Sequence, residues 1–375
     1  MNWQKLQNEE EVELALDYLE DAKDSFENRD LAFKCIQKAK TFKNIDLEFD
    51  ARMRYIRQSV FLNQDQEVIA MFPWFLNKCD SKDNYYKYLQ VLWTFKWVIN
   101  AVTDFPAISL SKIEGLREEF ERRFQEYGTG DRVINYFKAQ QESQLGNIEK
   151  SLELADKYFS DTRTCELDDC AACQPNNISR VFLVAEQYDR MMDCIQPILN
   201  GKLTCHVVPH TTFPKAAYAS MRTGAWEKAA HYVQSTYDHL DFLTPDGYEA
   251  SVLLLYHACK QEFLKGRNLI QKQLAFALKT SASGEVYDFY LSCALLMQAY
   301  LASGEETMAL DLTINKDYFV LPVEGNKYEV LALYKWFETA AYKHATLLDT
   351  RNGNTFLMDY FKKTEKWFDE LNLEE

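Results

Sequence analysis

The chain's reactive side chains are concentrated in one short region. Of nine cysteines in 375 residues, five fall between positions 165 and 205: Cys165, Cys170, Cys173, Cys194 and Cys205. The stretch CELDDCAACQPNN (165–177) holds three of them. Two of the six histidines, His206 and His210, lie close by in KLTCHVVPH (202–210). Thiolate and imidazole are the usual ligands of tetrahedral zinc, at bond lengths of about 2.0–2.3 Å. A C-x2-C pair in one segment and a C-x4-H pair in the next make Cys170, Cys173, Cys205 and His210 a candidate Cys3His set for structural zinc. Cys165 and His206 are the alternates. Four protein ligands leave no open position for water, so such a site points to structure rather than hydrolysis. Two other readings stay open: ordinary thiols, or a reactive pair at Cys170 and Cys173. A thioredoxin-like dithiol, however, belongs in a βαβ context. Cys35, Cys194, Cys259 and Cys293 sit in apolar runs at helical spacing and read as core.

No other segment carries an enzyme's signature. The sequence has no G-x-S-x-G, no phosphate-cradling glycine loop and no H-E-x-x-H. His231, His239, His257 and His344 stand alone on expected helices. The expectation is therefore a protein that is not an enzyme.

The elements that must hold the cysteine loops are helices. Gly (12) and Pro (8) are scarce, while 47% of residues are hydrophobic and Tyr (22) and Phe (24) abound. Few chain breakers and many apolar residues mean helices joined by short loops. The chain also repeats. LGNIEKSLELADKYF (145–159), AEQYDRMMDCIQPIL (185–199), TGAWEKAAHYVQSTY (223–237), KGRNLIQKQLAFALK (265–279) and SGEETMALDLTIN (303–315) each follow an apolar helical stretch. With Gly146, Glu186, Gly224, Gly266 and Gly304 as turn positions, the period is about 40 residues, in the range of helical repeats. Weaker copies begin at 27 and 62.

The expected fold class is all-α: a right-handed α-solenoid of stacked helix–turn–helix units. One continuous array is expected, with divergent repeats over 1–130, repeats carrying the Cys/His cluster over 131–317 and a helical cap over 318–375. YFVLPVEGNK (318–327) is the clearest non-helical insertion. In this register Cys173 and His210 both precede the first helix of adjacent repeats, about 8–10 Å apart. Asn177 at the end of CQPNN, and Thr211 or Thr212 ahead of Pro214, are expected to cap those helices.

GAWEKAAHYV places a Gly-x-aromatic-x-x-Ala pattern between two helices, and here the sequence resembles the tetratricopeptide repeat (TPR) family. The resemblance covers most of 130–315. It departs from the family in a period nearer 40 than 34 and in the closing proline and first-helix tryptophan, which are mostly absent. The loops D-C-x2-C and L-T-C-x3-P-H (169–210) also resemble those of some bacterial TPR-like proteins, which implies a shared structural element. The resemblance implies stacked hairpins whose long surface binds a protein or peptide. A receptor that closes on a short signalling peptide is the alternative, and a cysteine-based redox protein is a third.

Composition limits the partners. The 42 basic and 57 acidic residues leave a net charge of −15, which disfavours general binding to nucleic-acid phosphates. The densest basic patch, FERRF (120–124), lies beside Glu118 and Glu119. The first residues lack the features of a signal peptide, and apolar runs such as SVLLLY (251–256) are too short to span a membrane. An odd number of cysteines without secretory context fits a reducing cytoplasm. Two aromatic stretches, 84–102 (with Tyr86, Tyr88, Trp93, Phe95 and Trp97) and 318–337, are expected to be core, with some rings lining a groove.

Overall fold

The computed structural model describes residues 6–81, 87–239, 247–314 and 319–373; Tyr86 lies outside them. The chain forms two compact units, Met1–Ala101 and Val102–Glu375. Both are helical, and the fold class is all-α and solenoid-like.

The first unit comprises α1 (Glu9–Asp21), α2 (Phe26–Phe42), α3 (Ile45–Phe61), α4 (Asp65–Asp80) and α5 (Tyr88–Ala101). Three of these helices start at a polar N-cap. The Glu11 amide donates to the Asn8 side chain at 2.8 Å, Asn28 to Ser25 at 3.1 Å and Leu47 to Asn44 at 3.0 Å. Each bond satisfies an amide that the first helical turn leaves without a partner. Val12, Leu16 and Leu19 of α1 share a core with Leu31, Cys35 and Ile36 of α2 and with Leu47 and Tyr55 of α3. That spacing is the apolar stripe of an amphipathic helix. The aromatic stretch on α5 is packing: Tyr88 and Phe95 are buried and Trp93 and Trp97 half-buried. The buried Lys96 ammonium lies 3.3 Å from the centre of the Trp93 ring.

The second unit opens with a 3-10 turn at Val102–Asp104 and α6 (Leu110–Glu126). Four hairpins follow: α7 (Asp131–Gln144) with α8 (Ile148–Ser160), α9 (Cys173–Val184) with α10 (Tyr188–Leu199), α11 (Phe213–Arg222) with α12 (Trp226–His239), and α13 (Gly247–Cys259) with α14 (Phe263–Ala277). Next come α15 (Ser283–Ala302), the strands β1 (Thr307–Ala309) and β2 (Lys327–Glu329), α16 (Val330–Asn352) and α17 (Phe356–Leu373). Each hairpin's first helix packs on the next hairpin's first helix, from α7 through α9, α11 and α13 to α15.

The hairpins turn in one way. Gly146, Glu186, Gly224 and Gln261 all take left-handed backbone, at φ of 82°, 58°, 71° and 51°. The residue after each donates its amide to the carbonyl five positions upstream: Asn147 to Glu142, Gln187 to Phe182, Ala225 to Ser220 and Glu262 to His257, all at 2.8–2.9 Å. This is the Schellman closure of a helix C-terminus, and its recurrence is the physical content of the repeat.

Two expected positions differ. The fourth turn falls at Gln261, and Gly266 lies inside α14. A Cβ there would come within 2.4 Å of Leu296, so the glycine permits close helix packing rather than a turn. The fifth unit has no second helix among the described residues. After Gly304 (φ 87°) the chain is extended, and β1 pairs antiparallel with β2, Met308 opposite Tyr328. The helical spacing of TMALDL is thus overridden by pairing with the expected non-helical insertion.

The end of the unit folds back on its beginning. Arg351 of α16 donates to the carbonyls of Thr103, Phe105 and Ile108 at 2.5, 3.1 and 3.2 Å. Helix α17 crosses successive hairpins. Asn354, just before it, donates to the Leu145 carbonyl at 2.7 Å, Tyr360 meets the Tyr218 hydroxyl at 3.4 Å, and Arg222 lies over the Trp367 ring at 5.0 Å. Gly146 is doubly required, because a Cβ would also sit 2.7 Å from that of Phe356.

Candidate metal centre and inner cavity

Both cysteine-bearing loops lead into the first helix of a hairpin. One joins α8 to α9 and the other joins α10 to α11. Leu167 in the first and Val208 in the second are fully buried, which pins each loop to the body. Arg132 of α7 braces the first loop through Asp168 and Gln174, both at 2.7 Å. Asp168 in turn accepts the Cys165 amide at 2.9 Å. The second loop turns tightly, with the Cys205 amide donating to the Val208 carbonyl at 3.0 Å.

The fold brings Cys170, Cys173 and Cys205 together, with all three sulfurs within 4.8 Å of one another. The Cys173 and Cys205 sulfurs are 3.4 Å apart. The Cys173 amide donates to the Cys170 sulfur at 3.3 Å. Burial opposes the Cys170 thiolate, but this bond and one from the Ala172 amide favour it, and the thiol lies below its ordinary pKa. The Cys173 thiol is pushed up by burial and by its two sulfur neighbours. Three thiols this close can hold a metal ion, since soft sulfur ligands in one cluster suit zinc and its relatives.

The other proposed ligands stand apart from this group. Cys165 is half-buried earlier in the first loop and His206 is exposed. His210 stacks on His239, their ring centres 4.7 Å apart. Burial and the neighbouring His239 charge lower its pKa. Its Nδ1 is buried without a hydrogen-bond partner. A metal-binding histidine needs one ring nitrogen with its lone pair free for the ion, and the Nδ1 of His210 meets that need.

A polar network fastens the two loops beside the sulfurs. Asn176 of α9 accepts from Thr212 at 2.8 Å and from the Lys215 ammonium at 2.9 Å, and donates to Thr211 at 3.1 Å. The expected caps are thus used differently. Thr212 is the N-cap of α11 with Pro214 in the first turn, but its hydroxyl reaches across to α9. Helix α9 begins at Cys173 with Ala172 as its cap, so Asn177 lies inside the helix. Cys35 and Cys293 are buried, while Cys194 and Cys259 are partly buried. Burial pushes the Cys194 thiol up to about 12, as expected of packing residues. The strands β1 and β2 are the only ones among the described residues, and they lie far in sequence from the C-x2-C.

A second feature went unread in the sequence. The second unit encloses a cavity of about 750 Å³, counting space open to solvent, between the first helices of the hairpins and α17. One tyrosine comes from each of three hairpins (Tyr188, Tyr218, Tyr248), a fourth from α15 (Tyr287) and a fifth from α17 (Tyr360). Arg180 of α9 and Asp288 of α15 bring opposite charges to the same wall. Burial pushes Asp288 up to about 6 against the pull of Arg180, and Asp104, near Arg180 and Arg351, is raised to about 6 in the same way. The recurrence of tyrosine once per hairpin is the signal that would have found it.

Comparison with family models, with curated proteins and with solved structures gives no match. Among the described residues no helix is long and apolar enough to cross a membrane.

Proposed function

We propose that the chain is a TPR-like scaffold of the cytoplasm. It is not an enzyme, and it holds a protein or peptide partner on the surface of its helices. The observation that carries this reading is where large apolar side chains meet solvent. Of the eleven such residues among the described ones, five fall between positions 14 and 45: Leu14, Tyr18, Phe26, Phe33 and Ile45, each 44–48% exposed. Leu14 and Tyr18 are one turn apart on α1, and Phe26 and Phe33 are two turns apart on α2. Arg29 lies over Phe26 at 5.1 Å. Exposed apolar groups gathered in one segment mark interaction surfaces, and aromatic and arginine side chains dominate binding energy at such surfaces. The net charge of −15 favours a basic or amphipathic partner over nucleic acid.

In the same reading a structural zinc clamps α9 to α11. Cys170, Cys173 and Cys205 are three of its ligands, and His210 turns from its stack on His239 to become the fourth. The three clustered thiols support this assignment, as does the lone pair at His210 Nδ1.

The scaffold is tested by affinity capture with the full chain and with a Phe26→Ser/Phe33→Ser variant. Loss of the captured partner at unchanged thermal stability is expected; equal capture by both proteins counts against this surface. Elemental analysis of the tag-free protein is expected to find one zinc per chain, lost in Cys170→Ser and reduced in His210→Ala. A metal-free protein of normal stability removes the clamp.

A further inference from the structure

We propose that the cavity of the second unit binds a small zwitterion, an α-amino acid with an apolar side chain, its carboxylate on Arg180 and its ammonium group on Asp288. This site is separate from the surface on α1–α3 and does not depend on it.

The cavity wall carries two opposite charges that the fold leaves without a close ion-pair partner among the described residues. Arg180 has five N–H donors, yet among the described residues it makes no hydrogen bond or ion pair. Its one close ring contact is with Tyr248, at 6.0 Å. Asp104 and Asp288 balance its charge only at longer range. Asp288 accepts hydrogen bonds from the Tyr287 and Tyr360 hydroxyls, but it has no cation within ion-pairing distance among the described residues, and Arg180 acts on it only electrostatically. Polar groups at this depth normally have partners. Thr364 of α17 adds to the pattern: it lines the same cavity, is 1% exposed, and its hydroxyl has no partner. The other acid at the cavity, Glu186, already has Lys363 at 3.4 Å.

One unpaired cation facing one unpaired anion selects a ligand that carries both charges. A simple amine would leave Arg180 unsatisfied, and a simple anion would face Asp288. An amino acid holds its two charges on adjacent carbons, so it fits two side chains that sense each other without touching. A peptide does not fit, because each added residue separates its termini by another ~3.3–3.6 Å when extended. Leu255, Leu291, Phe356 and Leu357 supply an apolar wall for the side chain, and the tyrosine hydroxyls can donate or accept around the head group.

The test is titration calorimetry on the full chain with L-leucine, L-phenylalanine, N-acetyl-L-leucine and L-leucine methyl ester. Free leucine or phenylalanine is expected to bind. Blocking either charge weakens binding at least about tenfold, because a buried polar group loses its partner. Asp288→Asn is expected to lose the preference for free over acetylated amine, and Arg180→Met the preference for acid over ester. Thermal melts establish that both variants are folded, and the ligand series on the unaltered protein stands without them. Absence of heat with both free amino acids overturns the proposal. So does equal binding of the blocked forms, which would make the cavity an apolar pocket.

Discussion

Two joints of the second unit do the same task by different chemistry. Between α13 and α15 the helices close on apolar side chains. Leu253, Leu254, Phe289, Leu295 and Leu296 are at most 1% exposed. The backbones approach so closely that a Cβ on Gly247 would lie 1.9 Å from the Glu285 carbonyl. Between α9 and α11 the helices also pack, but the loops ahead of them add three thiols and the hydrogen bonds of Asn176. Apolar packing needs only matched shape and rewards every buried carbon. Loops bury little carbon, so their order must come from specific bonds, each of which fails when one partner is lost. A repeat can thus contain a joint that is conditional on chemistry beside one that is not.

The contrast can be broken most sharply at the sulfurs. If a thiolate-bound metal holds the loops, its removal by chelation or Cys173→Ser costs a large share of the ~10–16 kcal/mol that structural zinc supplies in isolated fingers. Hydrogen exchange is expected to rise in residues 161–172 and 200–212 while α13 and α15 stay protected; a uniform rise would show that the joints are not independent. On the apolar side, Leu296→Ala opens a cavity against Gly266 and is expected to cost about 2–5 kcal/mol. Asn176→Ala takes the side-chain acceptor from the Lys215 ammonium, which keeps the Asn176 backbone carbonyl at 2.7 Å, and is expected to cost about 1.5–3 kcal/mol in denaturant unfolding. Leu296→Met, which keeps the volume, is expected to cost under about 1.5 kcal/mol. A comparable tolerance at Asn176 would erase the distinction.

Asp288 gives a smaller effect with a pH signature. Burial raises it from its ordinary 3.8 to about 6, so the fold disfavours its ionised form. The cost is absent below about pH 4, grows as pH rises through the window, and is complete above about pH 6. Asp288→Asn is therefore expected to stabilise the protein by about 1–3 kcal/mol at pH 7.5 and to gain nothing near pH 4. A gain independent of pH would mean that repacking, not charge, is responsible. The smallest expected change is Glu186→Gly, which relieves a left-handed backbone at a turn where other hairpins use glycine, a gain of about 1 kcal/mol.

The turns and the thiols were legible because each is local. Glycine at 146, 224 and 304 marks positive φ, and a C-x2-C with a third cysteine one repeat later needs only the period to be brought together. Gly266 misled because a glycine can serve helix contact as well as a turn, and Gln261 shows that the turn itself accepts a longer side chain. TMALDL looked helical because a pairing partner that lies beyond Gly304 in sequence decides its conformation. The cavity was hidden for the same reason in stronger form. Its wall draws on α9, α11, α13, α15 and α17, and no short window of sequence contains both Arg180 and Asp288.

Helix α17 also sets an order of events. It is synthesised after every hairpin it crosses, yet it covers the backbone at Gly146 and the rings and guanidinium at Tyr218 and Arg222. On the ribosome the hairpins therefore emerge with that face bare, and the cavity has no far wall until the final helix arrives. Vectorial synthesis makes the inner face a late-closing surface, open to chaperones or to early ligand in the interval.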